Sequence, residues 1–121
     1  MSDEKQVEAN LKTFAEDKKL NDEEMKVVME IAEKMLSVGT VPCTACHYCV
    51  SHCPQGLDIP NLISLYNEHV YTGGGFLAPM AISALSDDKK PQACLHCGSC
   101  EQVCPQQIKI PEIMEDFAAR L

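Results

Sequence analysis

Two cysteine runs of identical spacing constrain this chain more than any other feature. The first holds Cys43, Cys46, Cys49 and Cys53, followed by Pro54. The second holds Cys94, Cys97, Cys100 and Cys104, followed by Pro105. Each reads C-x2-C-x2-C-x3-C-P, and together they use all eight cysteines. Aligned positions lie 51 residues apart, and the alignment continues beyond the thiols, pairing Pro60 with Pro111 and Tyr66 with Phe117. The chain therefore repeats a cysteine turn followed by a helix, and two copies predict a pseudo-twofold unit.

A length of 121 residues accommodates one domain, or one domain with a small appendage. Three Phe, three Tyr and no Trp make a thin aromatic core, so a chain of this size gains from a staple such as bound metal. The net charge of -8 argues against nucleic acid and against an anionic membrane surface, because nothing neutralises phosphate. The first twenty residues are polar and charged, unlike a signal peptide, and no apolar run reaches membrane-spanning length. Without an export signal, eight cysteines read as metal ligands before disulfides, and the expected compartment is a reducing cytoplasm.

The spacing is that of bacterial iron–sulfur ligation. One compact turn aims three thiolates at three corners of a cubane, while the fourth cysteine, before its proline, ligates the other cluster. Two 4Fe–4S clusters are therefore expected. Cys43, Cys46, Cys49 and Cys104 would hold one, and Cys94, Cys97, Cys100 and Cys53 the other. The swapped ligands would tie the repeats together, so cluster loss would unfold the domain. Zinc is the competing reading, but structural zinc prefers paired Cys-x2-Cys units separated by a loop. Four thiolates per cluster leave no open iron position, which points to outer-sphere electron transfer. His47, His52 and His96 read as loop residues, because the thiolate count is already complete. Gly98 lets backbone approach its cluster, whereas the matching residue is His47, so unequal potentials are expected. Tyr48 is expected beside a cluster and His69 as an ordinary helix residue. No catalytic constellation is present.

The remaining patterns are helical. Residues 3 to 18 form an amphipathic segment, with Val7, Leu11 and Phe14 on one face. Asn21 and Glu24 make a capping box for a second helix that reaches about Ser37 and stops at Gly39. Its stripe of Met25, Val28, Met29, Ala32, Met35 and Leu36 reads as a packing face. Helices are expected from Asp58 or Ile59 with Pro60 in the first turn, around Pro79, and after Lys109 with Pro111 in the first turn. Gly73-Gly74-Gly75 lacks the lysine and preceding strand of a phosphate loop and reads as a flexible connector. Asp87 to Pro91 reads as a polar loop. With almost no two-residue alternation, the fold class is all-α, with an N-terminal helical hairpin at 1–40 and a dicluster domain at 41–121.

The long helical gap between Cys53 and Cys94 resembles the α-helical ferredoxins, not the small β-hairpin type. Further residues resemble the C-terminal ferredoxin domain of bacterial aldo/keto reductases. These are Val41-Pro42-Cys43-Thr44-Ala45-Cys46, Tyr48-Cys49, Cys53-Pro54-Gln55-Gly56-Leu57-Asp58-Ile59-Pro60, Leu65-Tyr66-Asn67-Glu68 and Cys97-Gly98 through Ile108. Gln6-Val7-Glu8-Ala9-Asn10-Leu11 and Leu20-Asn21-Asp22-Glu23-Glu24 are similar to the end of that family's barrel. The resemblance implies that the chain is the tail of a reductase whose barrel is absent. It implies NADP(H) in that missing barrel, with Gln6 and Asn10 as a nucleotide half-site, and the family's Asp, Tyr, Lys and His group has no counterpart here. The expected function is electron transfer between a redox partner protein or ferredoxin and a reductase barrel in cis, with no catalysis by this chain alone. The alternatives are a free-standing dicluster ferredoxin and a metal-stapled interaction domain. No nucleic acid or membrane partner is expected.

Overall fold

The computed structural model describes residues 3–121. Two compact units divide the chain, one ending at Met35 and the other spanning Leu36–Leu121. Among the described residues the elements are helices and 3-10 turns, with no strand, so the fold is all-α.

The first unit carries α1 (Glu4–Ala15) and α2 (Asp22–Leu36). Asp3 caps α1 by accepting from the Gln6 amide at 2.9 Å. The Asn21 side chain accepts from Glu24 N at 2.9 Å, and Glu24 returns the bond to Asn21 N at 2.9 Å. That reciprocal pair satisfies two otherwise orphaned helix-start donors. No residue of either helix is buried. The stripe of α2 is open, with Met35 at 68% and Leu36 at 80% exposure, so the packing face read from the sequence covers nothing within its own unit. Two short helices offer no second layer that could enclose it.

The second unit contains the core. Helix α3 (Ile59–Tyr71) packs against α4 (Leu77–Ser83) and α6 (Ile110–Arg120), and α6 also packs on the Pro91–Ala93 turn. A short α5 (Ser99–Gln102) lies inside the second cysteine run, where the first run has the 3-10 turn Val50–His52. Pro60 and Pro111 sit in the first turns of α3 and α6, where the missing N–H costs nothing. Buried residues come in pairs 51 apart: Leu57 with Ile108, Ile59 with Ile110, Ile63 with Met114, Tyr66 with Phe117. The core is thus built by the repeat itself. Asn67 of α3 clamps the segment entering the first run, accepting from Val41 N at 2.7 Å and donating to Val41 O at 2.8 Å.

Two local expectations change. The triglycine is not a loose connector: Gly74 N donates to His69 O at 2.8 Å and Gly73 N to Val70 O at 3.2 Å. With Gly73 at φ 69, this is a Schellman closure of α3. The Asp87–Pro91 stretch is a 3-10 turn (Asp87–Lys89) leading into a second at Pro91–Ala93, with Pro91 buried.

Candidate metal centre

The first cavity is lined by Cys43, Cys46 and Cys49 of the first run and by Cys104 of the second. Pro60, Ile63, Ile108 and Ile110 complete its wall. The second cavity is lined by Cys94, Cys97 and Cys100 with Cys53 of the first run. Leu57, Ile59, Ile110 and Met114 close it. The empty spaces are about 330 and 350 Å³, part of each open to solvent. Each cavity therefore takes three thiols from one run and the fourth from the other. The thiols ring a space and do not converge on one point: among the described residues no group of three His, Cys, Asp or Glu side chains is placed to hold a single ion. All eight cysteines are free thiols.

The two loops share one backbone. Ala45 at φ 51 and His47 at φ 62 flank Cys46, and His96 at φ 53 and Gly98 at φ 72 flank Cys97. Gly56 at φ 59 matches Gln107 at φ 54. Each pair is related by the 51-residue shift. The turn hydrogen bonds repeat as well. Val50 N to His47 O at 3.1 Å matches Glu101 N to Gly98 O at 3.0 Å. Cys53 N to Val50 O at 3.2 Å matches Cys104 N to Glu101 O at 3.1 Å. Left-handed residues alternating with others turn successive N–H groups to one side, which builds an anion-accepting concavity. For non-glycine residues such backbone costs about 1–3 kcal/mol each and persists only where the surroundings fix it. Four non-glycine residues, Ala45, His47, His96 and Gln107, accept that cost around the thiols.

Burial sets the thiol chemistry. Cys49 and Cys100, at 7% and 6% exposure, are the innermost thiols. Burial pushes Cys49 up to about 11, and the Cys43, Cys46 and Cys104 thiols of its cavity add to the effect. Burial likewise pushes Cys100 up to about 11, with contributions from Cys94 and Cys49. The exposed Cys97 moves the other way, because the Ser99 amide and hydroxyl favour its thiolate. Its sulfur lies 3.6 Å from Ser99 Oγ. The innermost thiols, Cys49 and Cys100, are costly to ionise unless a cation set shares the space. A coordinating metal deprotonates its thiols outright. The donor set and its apolar walls therefore fit a thiolate-ligated iron–sulfur group.

Other residues fall outside the cavities. Tyr48 is 61% exposed and lines neither, contrary to its expected place beside a cluster. The turn commits Cys46 and Cys49 to the cavity and leaves the phenol between them outside. His47 and His52 touch the cavity rims while remaining exposed, and His96 is exposed. His69 lies in α3, and its ring is buried at 8% exposure, with 6.3 Å between its centroid and that of Phe117. The glycine closure of α3 covers it, with the imidazole 4.0 Å from where a Gly74 Cβ would stand. Gln6 and Asn10 both lie on exposed turns of α1, where Asn10 borders an open depression with Val7, Leu11 and Phe14.

The family described as 4Fe-4S dicluster domain matches residues 42–108. The acetyl-CoA decarbonylase/synthase complex subunit alpha 1 of Methanosarcina barkeri is 32% identical over 78 residues, which is 64% of this chain and 8% of that protein. Its counterpart from Methanosarcina acetivorans is 31% identical over 78 residues, with the same coverage of 64% and 8%. The chain thus spans about 8% of the length of the curated relatives it matches. No solved structure matches it.

Proposed function

This chain belongs to the 4Fe-4S dicluster domain family, and from that premise we propose that its second unit is an electron-transfer module. Cys43, Cys46, Cys49 and Cys104 would hold one 4Fe–4S cluster, and Cys53, Cys94, Cys97 and Cys100 the other. Bound there, each cluster supplies one-electron redox chemistry with no open iron position for substrate. The observation that carries this reading is the crossed lining of the two cavities, in which neither run completes a set of four thiols alone. The protein's part is to hold and to exclude. Leu57, Ile59, Ile110 and Met114 give one set of thiols an apolar wall, and Pro60, Ile63 and Ile108 give the other one. The spread of the thiols around a space favours a multi-iron group over zinc, whose four ligands meet at one ion about 2.3 Å away. The test is metal and acid-labile sulfide content after anaerobic preparation, with EPR of the dithionite-reduced protein. About eight iron and eight sulfide per chain, two four-iron clusters, supports the reading. Zinc without sulfide overturns it in favour of a metal-stapled interaction domain.

The finer proposal is that this module serves a larger oxidoreductase. The quoted residues from Val41 to Ile108 support the tail of an aldo/keto reductase, with residues 1–40 completing a barrel in cis and NADP(H) bound there. Gln6 and Asn10, exposed four residues apart on α1, would be a remnant of the nucleotide contact. The matched relatives are subunits of a different enzyme complex, and they support only the coarser statement that a segment similar to this chain stands within a much longer protein. A redox partner protein or ferredoxin would exchange electrons with the module, in a reducing cytoplasm that keeps the thiols available. No helix among the described residues is long and apolar enough to cross a membrane. NADPH added to a chain that includes the barrel is expected to move the NMR signals of Gln6 and Asn10. Unmoved signals remove the half-site. The second reading, a free-standing carrier, is favoured if the chain is monodisperse and shields the apolar stripe of α2.

A further inference from the structure

We propose that Lys89 raises the reduction potential of one of the two sites, the one ringed by Cys53, Cys94, Cys97 and Cys100, and leaves the other unchanged. This rests on the two-cluster reading above.

Lys89 Nζ donates to Gln55 O at 2.6 Å. Gln55 lines that cavity together with Cys53 and Pro54. On the far side of the same peptide, Gly56 N donates to Cys53 O at 2.9 Å. An ammonium group is thus fixed to the loop that carries one of the four thiols. A Cβ at position 56 would stand 3.4 Å from Nζ, so the glycine leaves the approach open. Reduction adds one negative charge to a site, and a nearby cation favours that added charge.

The feature is one-sided. Exchanging the two repeats pairs Gln55 with Gln106, 51 residues on, and Lys89 with Val38, 51 residues back, which has no charge to place at the equivalent carbonyl. The thiol loops themselves offer little asymmetry, since His47 and Gly98 take nearly the same left-handed backbone, φ 62 and 72. The other charges near the cavities do not duplicate the lysine. Asp88 Oδ2 lies 3.7 Å from Nζ, with Asp88 65% and Lys89 44% exposed, so water weakens this pair without cancelling it, while Nζ stays bonded to Gln55 O at 2.6 Å. Asp58 is exposed and turned to the start of α3, where it accepts from Asn61 N. Lys109, the residue matching Asp58, faces the Glu101 carboxylate at 3.6 Å.

The experiment is an EPR-monitored redox titration of the anaerobically prepared full chain and of four variants, with iron and sulfide measured on each sample. Lys89→Gln keeps a hydrogen-bond donor without the charge and is expected to lower one midpoint only. Lys89→Arg keeps the charge and is expected to hold both. Asp88→Asn removes the screened counter-charge and is expected to raise the midpoint that Lys89→Gln lowers. Cys97→Ser identifies the site, because it perturbs the signal belonging to that midpoint. Full iron content with both midpoints unmoved, or with both moved together, overturns the assignment to Lys89 alone. Absence of iron and sulfide from the unaltered protein overturns the two-cluster reading with it.

Discussion

The Tyr66 and Phe117 rings meet edge to face, 5.6 Å between centroids and 81° between planes, and they occupy the same position of the two repeats. Equivalent residues touch across a pseudo-twofold only near its axis, so this pair marks where the halves join. Phe117 has no exposed surface, and Tyr66 is 6% exposed. Phe117→Ala is expected to cost about 3–5 kcal/mol, the range for truncating a buried aromatic. Urea unfolding of the metal-free and metal-loaded chain measures it. A loss of only a few tenths would mean that the halves are held elsewhere.

The same junction has a charged edge. Tyr66 Oη donates to Asp116 Oδ2 at 2.7 Å, and Arg120 Nε donates to the same oxygen at 2.7 Å. The Arg120 contact, then that of Tyr66, holds the Asp116 carboxyl below its usual value. A lowered carboxyl contributes stability that is present above the unfolded value near about 3.9 and is lost as pH falls through the folded one. Tyr66 is raised, by burial first and then by Asp116, so its contribution is present below about 10 and is lost as pH rises further. Asp116→Asn is therefore expected to flatten both limbs of the stability–pH curve. Urea midpoints from pH 3 to 11 give the comparison, and unchanged limbs would separate Asp116 from the stability of the join.

Crossed sets of thiols make an asymmetric forecast. Cys53→Ser is expected to disturb the site of the second run, although the residue belongs to the first. Cys104→Ser is expected to disturb the site of the first run. Reduced-state EPR of the two variants decides it. If each substitution disturbs the site of its own run, the thiols do not cross.

Thiol reactivity in the metal-free chain follows from burial. Cys97, exposed and favoured as thiolate by Ser99, is expected to alkylate well before Cys49 and Cys100. Peptide mass spectrometry after brief iodoacetamide treatment at pH 8 reads the order. The raised values of Cys49 and Cys100 contribute stability to the metal-free fold at neutral pH, and it is lost as pH rises from about 9 toward 11. Equal labelling of Cys97 and Cys100 at early times would place the buried thiols in open solvent.

Local chemistry was the legible part of the sequence. Asn21 and Glu24 announce their reciprocal bond by type and spacing, and Pro60 and Pro111 announce first turns. The iron–sulfur spacing, whose fourth cysteine serves the other cluster, names the crossed sets of thiols, and each cavity is lined by one such set. What periodicity does not contain is the identity of whatever covers a face. The Met stripe of α2 is apolar and open, and His69 looks like any helix histidine until the turn at Gly73 and Gly74 folds over it. Gly73 directly after the last helical residues was the available signal for that closure. The left-handed Ala45 and His96 carry no signal in their residue types, because only the surrounding loop selects that backbone.

The sharing of cysteines between repeats has a consequence for ancestry. A single repeat lines one cavity with three of its own thiols and sends the fourth away, so half of this chain completes no site. Two identical half-chains side by side would complete both by exchanging that fourth thiol. The 51-residue repeat therefore describes a symmetric dimer written into one polypeptide. Within one polypeptide the matched positions need not agree, and Lys89 against Val38 and Gly98 against His47 do not.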